Sequence, residues 1–484
     1  MAVRETERPF SFVKLELVIL LYIMAAEIVF SLFSGFILGV VASGSGVNIY
    51  TGIVGFFIVI AASFFLRRNL TKYFAVALAA FLLGFFYFVL YGKLASAKYP
   101  SFGVKIAMEV IVTGETRISG TVQRTKAKLL PPYGGAIDLV SNEGILLEYG
   151  DRIKFEAALN PDKYSTRPAA RVYAPEIVSK NNGSGLKQSL LGLKTNLLKS
   201  LKENLSPPSA ALMGGLLLGD RNSFSADFKT AMKGSGTTHL VALSGFNITI
   251  LVNAIALALG SFLSRKMRFA LSIMIIILFI VMVGAEASVV RAGIMGALLL
   301  ISQESGRIYS PRNAIAFAGF AMTAWDPNNV FDIGFILSFV SLMGIVYILP
   351  AVKNTFLPGK NPKGIEEAAL MTVSAQAAVL PIAIKTFGGF SLTAIISNSL
   401  ITGFVPYAML SGFLVAVADF FSAALSFFFG FFAEIGMKYF IFIIEFFSRV
   451  RLPFGDFLNI PYAAAIYYIC LIIFVYAGIT KVKQ

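Results

Sequence analysis

Polar and small side chains stranded inside apolar runs are where this 484-residue chain could do chemistry. The stretch GSGTTHLVALSGFNITI, residues 234–250, sets Ser244, Gly245 and Asn247 within a run that stays apolar to Leu263. A helix in lipid must satisfy its own backbone, so polar groups at that depth predict a span that breaks or faces a protein-lined cavity, as a transport site does. Arg291 also sits in an apolar segment. A lone arginine near mid-bilayer costs roughly 2.5–3.5 kcal/mol on insertion scales. It is therefore expected to face protein and to pair with Glu286, Asp326 or Asp332, either attracting phosphate in a pore or bracing two helices. Gln376 and Asn398 are uncharged donors in apolar runs, suited to a permeant or to interhelical hydrogen bonds. Asp220 and Arg221 end the short stretch SPPSAALMGGLLLGDR as a local ion pair or a functional one. Asp326-Pro327 reads as the end of one span and the start of the next.

Covalent chemistry is poorly provided for. His239 is the single histidine and Cys470 the single cysteine, which argues against a zinc site of the usual kind and rules out a disulfide within the chain. Ser244 and His239 lie five residues apart, about 140° of helix rotation. Their side chains diverge, and no second histidine could serve as base for an intramembrane serine protease. Nothing matches GxxxxGK[ST], since Gly92-Lys93 and Gly359-Lys360 lack both spacing and hydroxyl, so energy for transport is expected from a partner or a gradient. No metal or cofactor is expected.

Between residues 92 and 185 the composition changes to 13 Lys and Arg against nine Asp and Glu. Two basic clusters, Arg117, Arg124, Lys126 and Lys128, and Arg152, Lys154, Arg167 and Arg171, could track a phosphate backbone, with Tyr133, Phe155 or Tyr164 as stacking faces. An ordinarily solvated surface has the same composition.

The elements that must position these residues are mostly apolar. The chain is 57% hydrophobic and 14% charged with a mean hydropathy of +0.77, a membrane composition. Stretches of spanning length fall at 15–42, 49–66, 73–91, 239–263, 267–284, 287–303, 313–325, 330–350, 367–387, 389–405, 406–431 and 461–479. Residues 432–448 are amphipathic and 313–325 is short, so the expectation is about ten spans. Arg4, Arg8 and Lys14 precede the first run, and Arg67, Arg68 and Lys72 follow the second, which puts the N-terminus in the cytoplasm. Three spans in residues 1–91 then leave residue 92 outside. Alternation in VKIAMEVIV, RISGTV and DRIKFEAAL, with turns at Pro131-Pro132, Gly134-Gly135 and Gly150-Asp151, predicts a small extracytoplasmic β-barrel of OB type over 92–185. Residues 186–484 form a second membrane block, opened by Leu186–Leu205, whose Lys187, Lys194, Lys199 and Lys202 suit the headgroup plane. The fold class is thus a polytopic α-helical membrane protein with an inserted β-barrel.

GLLLGDR (215–221), HLVALSGFNI, SVVRAGIM (288–295), DPNNVFDIGFILSF (326–339) and the SNSL…P pattern with Asn398 and Pro406 occur in the order and spacing of ComEC-type competence proteins. The resemblance runs from about residue 30 to about 450 and implies import of a single DNA strand across the cytoplasmic membrane in natural transformation. The pore candidates are then Asp220, Arg221, His239, Ser244, Gly245, Asn247, Arg291, Asp326, Asp332, Ser338, Gln376 and Asn398. The family commonly has SGLH where this chain has Ser244-Gly245-Phe246-Asn247, and GFQLSF where it has Gly334-Phe335-Ile336-Leu337-Ser338-Phe339. Many members also carry a metallo-β-lactamase-like domain, for which one histidine is too few. The resemblance implies a separate DNA receptor, nuclease and cytoplasmic helicase-type motor as partners, besides single-stranded DNA and membrane lipid. A small-solute secondary transporter would also break a helix near the midplane but should show paired repeats, which are not evident; a lipid or glycan flippase would need large polar cavities.

Overall fold

A computed structural model describes residues 10–46, 71–119, 122–142, 147–161, 167–173, 175–241, 250, 263–360, 362–387, 393–450 and 463–480. In chain order the elements begin with α1 (Phe10–Gly44) and α2 (Thr71–Ser96). Seven strands follow: β1 (Lys105–Val112), β2 (Arg117–Ser119), β3 (Val122–Leu129), β4 (Ala136–Asn142), β5 (Arg152–Asn160), β6 (Ala169–Val172) and β7 (Glu176–Ser179). The helices then resume with α3 (Gly185–Asn204), α4 (Pro207–Leu218), α5 (Ala226–Ser235), α6 (Arg265–Met282), α7 (Ala287–Ser305) and α8 (Pro311–Trp325). They end with α9 (Ile333–Met343), α10 (Leu349–Phe356), α11 (Ile365–Phe387), α12 (Thr393–Thr402), α13 (Val405–Ala418), α14 (Ala423–Arg449) and α15 (Ala463–Thr480). They form two compact units, residues 1–97 with 308–331, and residues 98–307 with 332–484.

In the first unit, small residues let backbones touch. A Cβ on Gly39 would lie 2.0 Å from the Phe81 carbonyl oxygen, one on Gly35 2.5 Å from that of Ala77, and one on Gly84 2.1 Å from that of Phe36. Gly35 and Gly39 are four residues apart, so α1 and α2 meet through a GxxxG face, where close packing substitutes for the hydrophobic drive that lipid removes. Helix α8 adds Phe320 against Phe33 at 4.8 Å, a fork–fork pair of Arg312 with Glu27, and Tyr87 donating to the Ala324 carbonyl at 2.7 Å.

In the second unit, β1-β3-β4-β6-β5 form a ring closed by antiparallel β1–β5 pairing, while β2 extends β3 and β7 extends β5. The β4–β6 pairing is parallel and the other ring pairs are antiparallel. Burial alternates along β3, β4 and β5, and the inward set, including Val110, Val112, Ile137, Leu139, Ile153 and Leu159, fills the barrel. Phe155 is in this core at 6% exposure and cannot stack on a ligand, and half-buried Tyr133 packs against it. Tyr164 lies outside the described residues.

The helical core of this unit surrounds α4. Every residue from Ser209 to Leu218 is buried, as befits a helix that is apolar all round. Gly412 of α13 receives Met213, whose sulfur would lie 2.2 Å from an added Cβ. Helix α3 is amphipathic as expected, yet Lys194 is 4% exposed and its ammonium is 2.5 Å from Glu115 of the barrel domain, so that lysine faces protein and not lipid headgroups.

Among the described residues, six helices are long and apolar enough to cross a membrane, and seven if the pair Ile396–Thr402 and Val405–Ala418, bent by 49°, is one broken span. The six are Ala26–Gly44, Ala75–Ser96, Ala287–Ser305, Ile333–Phe356, Glu366–Thr386 and Ala423–Arg449. The expected span at 49–66 and most of that at 239–263 lie outside the described residues. The expected boundary at 431 is corrected: 406–431 is split at residues 419–422, and α14 carries its second part straight through the amphipathic 432–448. Its Glu434 faces inward, accepting from the Ser206 amide at 3.1 Å and the Ser209 hydroxyl at 3.0 Å at the start of α4.

Candidate functional site

Register on the barrel's outer face brings basic residues together from both sequence clusters. Arg117 of β2 is opposite Arg124 of β3, Arg124 is opposite Val140 of β4, and Val140 is opposite Arg171 of β6. Residues paired across neighbouring strands share a face, at a strand spacing of about 4.8 Å. Three arginines therefore lie in one cross-strand row, with Lys126 opposite Asp138 in the row beside it and Lys128 one pair further along β3. Lys126 has its pKa lowered, first by partial desolvation and then by repulsion from Arg167 and Arg117, with Asp138 and Glu286 opposing. Arg167 thus belongs to this group.

Arg152 and Lys154 do not. They stand on β5 beside β1, where Arg152 Nε donates to Glu109 at 2.6 Å. That bond holds the Glu109 carboxyl below its ordinary value and raises Arg152. Tyr173, 77% exposed and two residues beyond Arg171, is an aromatic platform not among the stacking faces expected from the sequence. Its alternation with buried Val172 was the available signal.

The row ends at a junction with the helical core. Helix α4 stops at Gly219, whose φ of +69° is the left-handed conformation of a helix C-terminus, and Asp220 then accepts from the Asn222 amide at 3.0 Å and the Ser223 hydroxyl at 2.5 Å. Asp220 and Arg221 are thus not paired with each other: Arg221 donates to Glu286 at 3.3 Å. Glu286 also takes Arg117 of the barrel domain, and Asn222 clamps β2 on both sides of it, accepting from the Ile118 amide at 3.1 Å and donating to the Thr116 carbonyl at 2.9 Å. Lys187 donates to the Thr113 carbonyl at 2.6 Å, so the strip 113–118 is held by α3 and the GDR loop together.

Inside the core, the partner expected for Arg291 was a carboxylate. It is instead the Ser338 carbonyl of α9, with the guanidinium 5.7 Å from the Phe339 ring centre. Arg291 is 9% exposed, and its Nε has no hydrogen-bond partner among the described residues. Gly293 lets α7 close on α6, where an added Cβ would lie 2.4 Å from Ile280. Beyond Ser338 the span passes through a π-turn, Gly344–Ile348, before Pro350, which cannot donate to the carbonyl four residues back.

A buried polar patch lies on α5 and α12, where Ser397 donates to the Ser235 carbonyl at 2.9 Å and the Ser235 and Thr237 hydroxyls are 2.8 Å apart. Asn398 beside it is 1% exposed, and among the described residues neither of its amide atoms nor the Gln376 Oε1 has a hydrogen-bond partner. The two remaining aspartates cap: Asp326 accepts from the Asn328 amide at 3.1 Å after α8, and Asp332 from the Phe335 amide at 2.9 Å to start α9. His239 lies in a 3-10 turn, Thr238–Leu240, while Ser244, Gly245 and Asn247 fall outside the described residues. No group of three or more metal-ligating side chains occurs among the described residues.

Residues 216–482, more than half of the chain, match the family model described as competence protein. The chain belongs to the competence protein family. It is also similar to ComE operon protein 3 of Bacillus subtilis (strain 168), with 28% identity over 235 residues, 48% of this chain and 29% of that protein. This chain therefore spans under a third of that relative's length in the match. No solved structure matches. The family region begins within α4 and takes in the GDR loop, Glu286, Arg291 and Asn398, whereas the arginine row of the barrel precedes it.

Proposed function

We propose that this competence protein acts in DNA uptake during natural transformation, passing a single DNA strand across the cytoplasmic membrane. The observation that carries the reading is the row Arg117–Arg124–Val140–Arg171 on a barrel fastened to the family's core by the GDR loop. A line of cations at strand spacing suits a repeating polyanion, and Tyr173 offers a face for a base. The ring order β1-β3-β4-β6-β5, with its parallel β4–β6 pair, supports the OB-type assignment of the barrel. The basic flanks of the first two spans support a cytoplasmic N-terminus and a barrel outside, and about ten spans remains our count for the chain. The core residues Arg291, Gln376 and Asn398 are then the polar part of the conduit, and a receptor, a nuclease and a motor are separate polypeptides. A small-solute transporter would draw on the bent pair around Gly403 and on Asn398, whose amide has no partner among the described residues.

Binding of a labelled single-stranded oligodeoxynucleotide to the full chain in neutral-lipid nanodiscs tests the reading. Three phosphate contacts give a salt slope near −2, so affinity should fall about 20-fold from 50 to 200 mM salt. Arg124→Gln with Arg171→Gln should weaken binding at least tenfold and lower transformation at normal protein level. Oligonucleotide affinity unchanged by the substitutions would return the barrel to a structural role and favour the transporter.

A further inference from the structure

The Glu286 carboxylate is gripped by two guanidiniums from different parts of the fold. It accepts from Arg117 of β2 and from Arg221 of the GDR loop, and is 19% exposed while the arginines remain 55% and 41% exposed. Two cations on one carboxylate leave an excess of positive charge, and Lys126 is near enough to feel both Arg117 and Glu286. The buried Nε of Arg221 has no partner among the described residues, so donor capacity is left over. The turn that delivers Glu286 is strained: Gly284 has φ +92° and Ala285 φ +50°, a left-handed conformation that a side chain disfavours. A two-oxygen anion between two arginine forks, at the end of an arginine row, has the geometry by which guanidinium groups take phosphate.

We propose that Glu286 holds the place of a backbone phosphate, an internal anion that a nucleic-acid strand lying along the row displaces from Arg117 and Arg221. The inference rests on the proposed role of the row. Displacement frees the side chain of the residue at the N-cap position of α7, which makes no cap bond of its own and is held there by the two arginines. Helix α7 carries Arg291 five residues on, so occupancy of the barrel is felt in the core. An anionic lipid headgroup presents the same phosphodiester. The row crosses four strands, about 15 Å, which suits a polymer with repeated phosphates better than a single headgroup.

The experiment uses the full chain in nanodiscs and a labelled single-stranded oligodeoxynucleotide. Glu286→Gln, which keeps shape and removes charge, should bind three- to tenfold tighter than the parent, with a salt slope steeper by about one phosphate contact. Adding Arg221→Gln should cancel the gain. In the parent, saturation with oligonucleotide should speed amide exchange over residues 283–289 while slowing it over 116–126. Unchanged or weaker binding by a folded Glu286→Gln, or unchanged exchange at 283–289, overturns the proposal. If the parent binds and Arg124→Gln weakens it while Glu286→Gln does nothing, the internal anion alone is wrong. If the parent does not bind, the role of the row falls and the proposal with it. Tighter binding of the variant to vesicles rich in anionic lipid, without tighter binding to oligonucleotide, assigns the site to lipid and also overturns it.

Discussion

Tyr467 donates its hydroxyl to the Ala377 carbonyl at 2.7 Å, and Ala377 lies four residues before Pro381 in α11. Proline has no N–H, so this carbonyl loses its helical partner, and in a membrane span no water replaces it. Helix α15 supplies the missing donor, with Tyr468 adding a second bond to the Ala378 carbonyl at 3.1 Å. Tyr467→Phe should therefore destabilise the helical core by about 0.6–2 kcal/mol. In a Pro381→Ala background, where the amide returns, the same change should cost less. Unfolding of the four proteins in detergent gives the coupling, and additive losses would show that Tyr467 does not serve this carbonyl.

Glycines in the first unit should respond in opposite directions. Gly39→Val drives a side chain into the Phe81 carbonyl and should lower stability by at least about 2 kcal/mol, seen as loss of folded protein in a thermal scan. Gly92, late in α2, has nothing within 4 Å of an added Cβ. Gly92→Ala should gain up to about 1 kcal/mol from helix propensity alone.

Periodicity made the classes of element legible, because spans and alternating strands each leave a one-dimensional pattern. Register does not. Arg171 joins the row of Arg117 and Arg124 only because β4 pairs in parallel with β6, and the β5–β6 register, which meets β5 at Leu159 and Asn160, leaves Arg171 far along the strand from Arg152 and Lys154. Arg291 was legible as a residue in need of a partner, but a backbone carbonyl carries no side-chain signature, so Ser338 was found only for its place in a motif. Sequence proximity offers Glu286 as a partner for Arg291. Its actual partners come from 65 and 169 positions away.

The barrel's charge state makes a pH prediction. Lys126 has a folded-state pKa below the ordinary 10.5, so its positive charge is destabilising while it is protonated, and stability is recovered as pH rises through the window between its folded value and 10.5. A bound phosphate favours the protonated form. Oligonucleotide affinity should then fall through that same window, at lower pH than an ordinary lysine would give, and Lys126→Gln should remove the drop. A pH profile identical in parent and variant would remove Lys126 from the interface.

Side is open to a direct test. Cys470 is exposed and must first become serine, after which Ser101→Cys, on exposed backbone ahead of β1, reports the barrel's location. An impermeant thiol reagent should label it in intact cells. Protection until lysis would place the barrel inside and reverse the topology drawn from Arg67, Arg68 and Lys72.

Arg291 separates bracing from transport. Replacing a buried charge by an apolar side chain of fitting size is often neutral or stabilising, provided no partner is stranded. The Ser338 carbonyl that Arg291 engages also accepts from the Ser341 hydroxyl at 3.0 Å, so Arg291→Leu leaves it bonded. The variant should fold within about 2 kcal/mol of the parent and accumulate normally in the membrane. Entry of labelled DNA into cells should nevertheless drop at least tenfold, because the leucine removes the one cation on α7 from the proposed conduit. Arg291→Lys keeps the charge but not the planar fork and should recover part of the uptake. Normal uptake in Arg291→Leu would assign the residue to helix packing, and loss of the protein together with uptake would assign it to bracing.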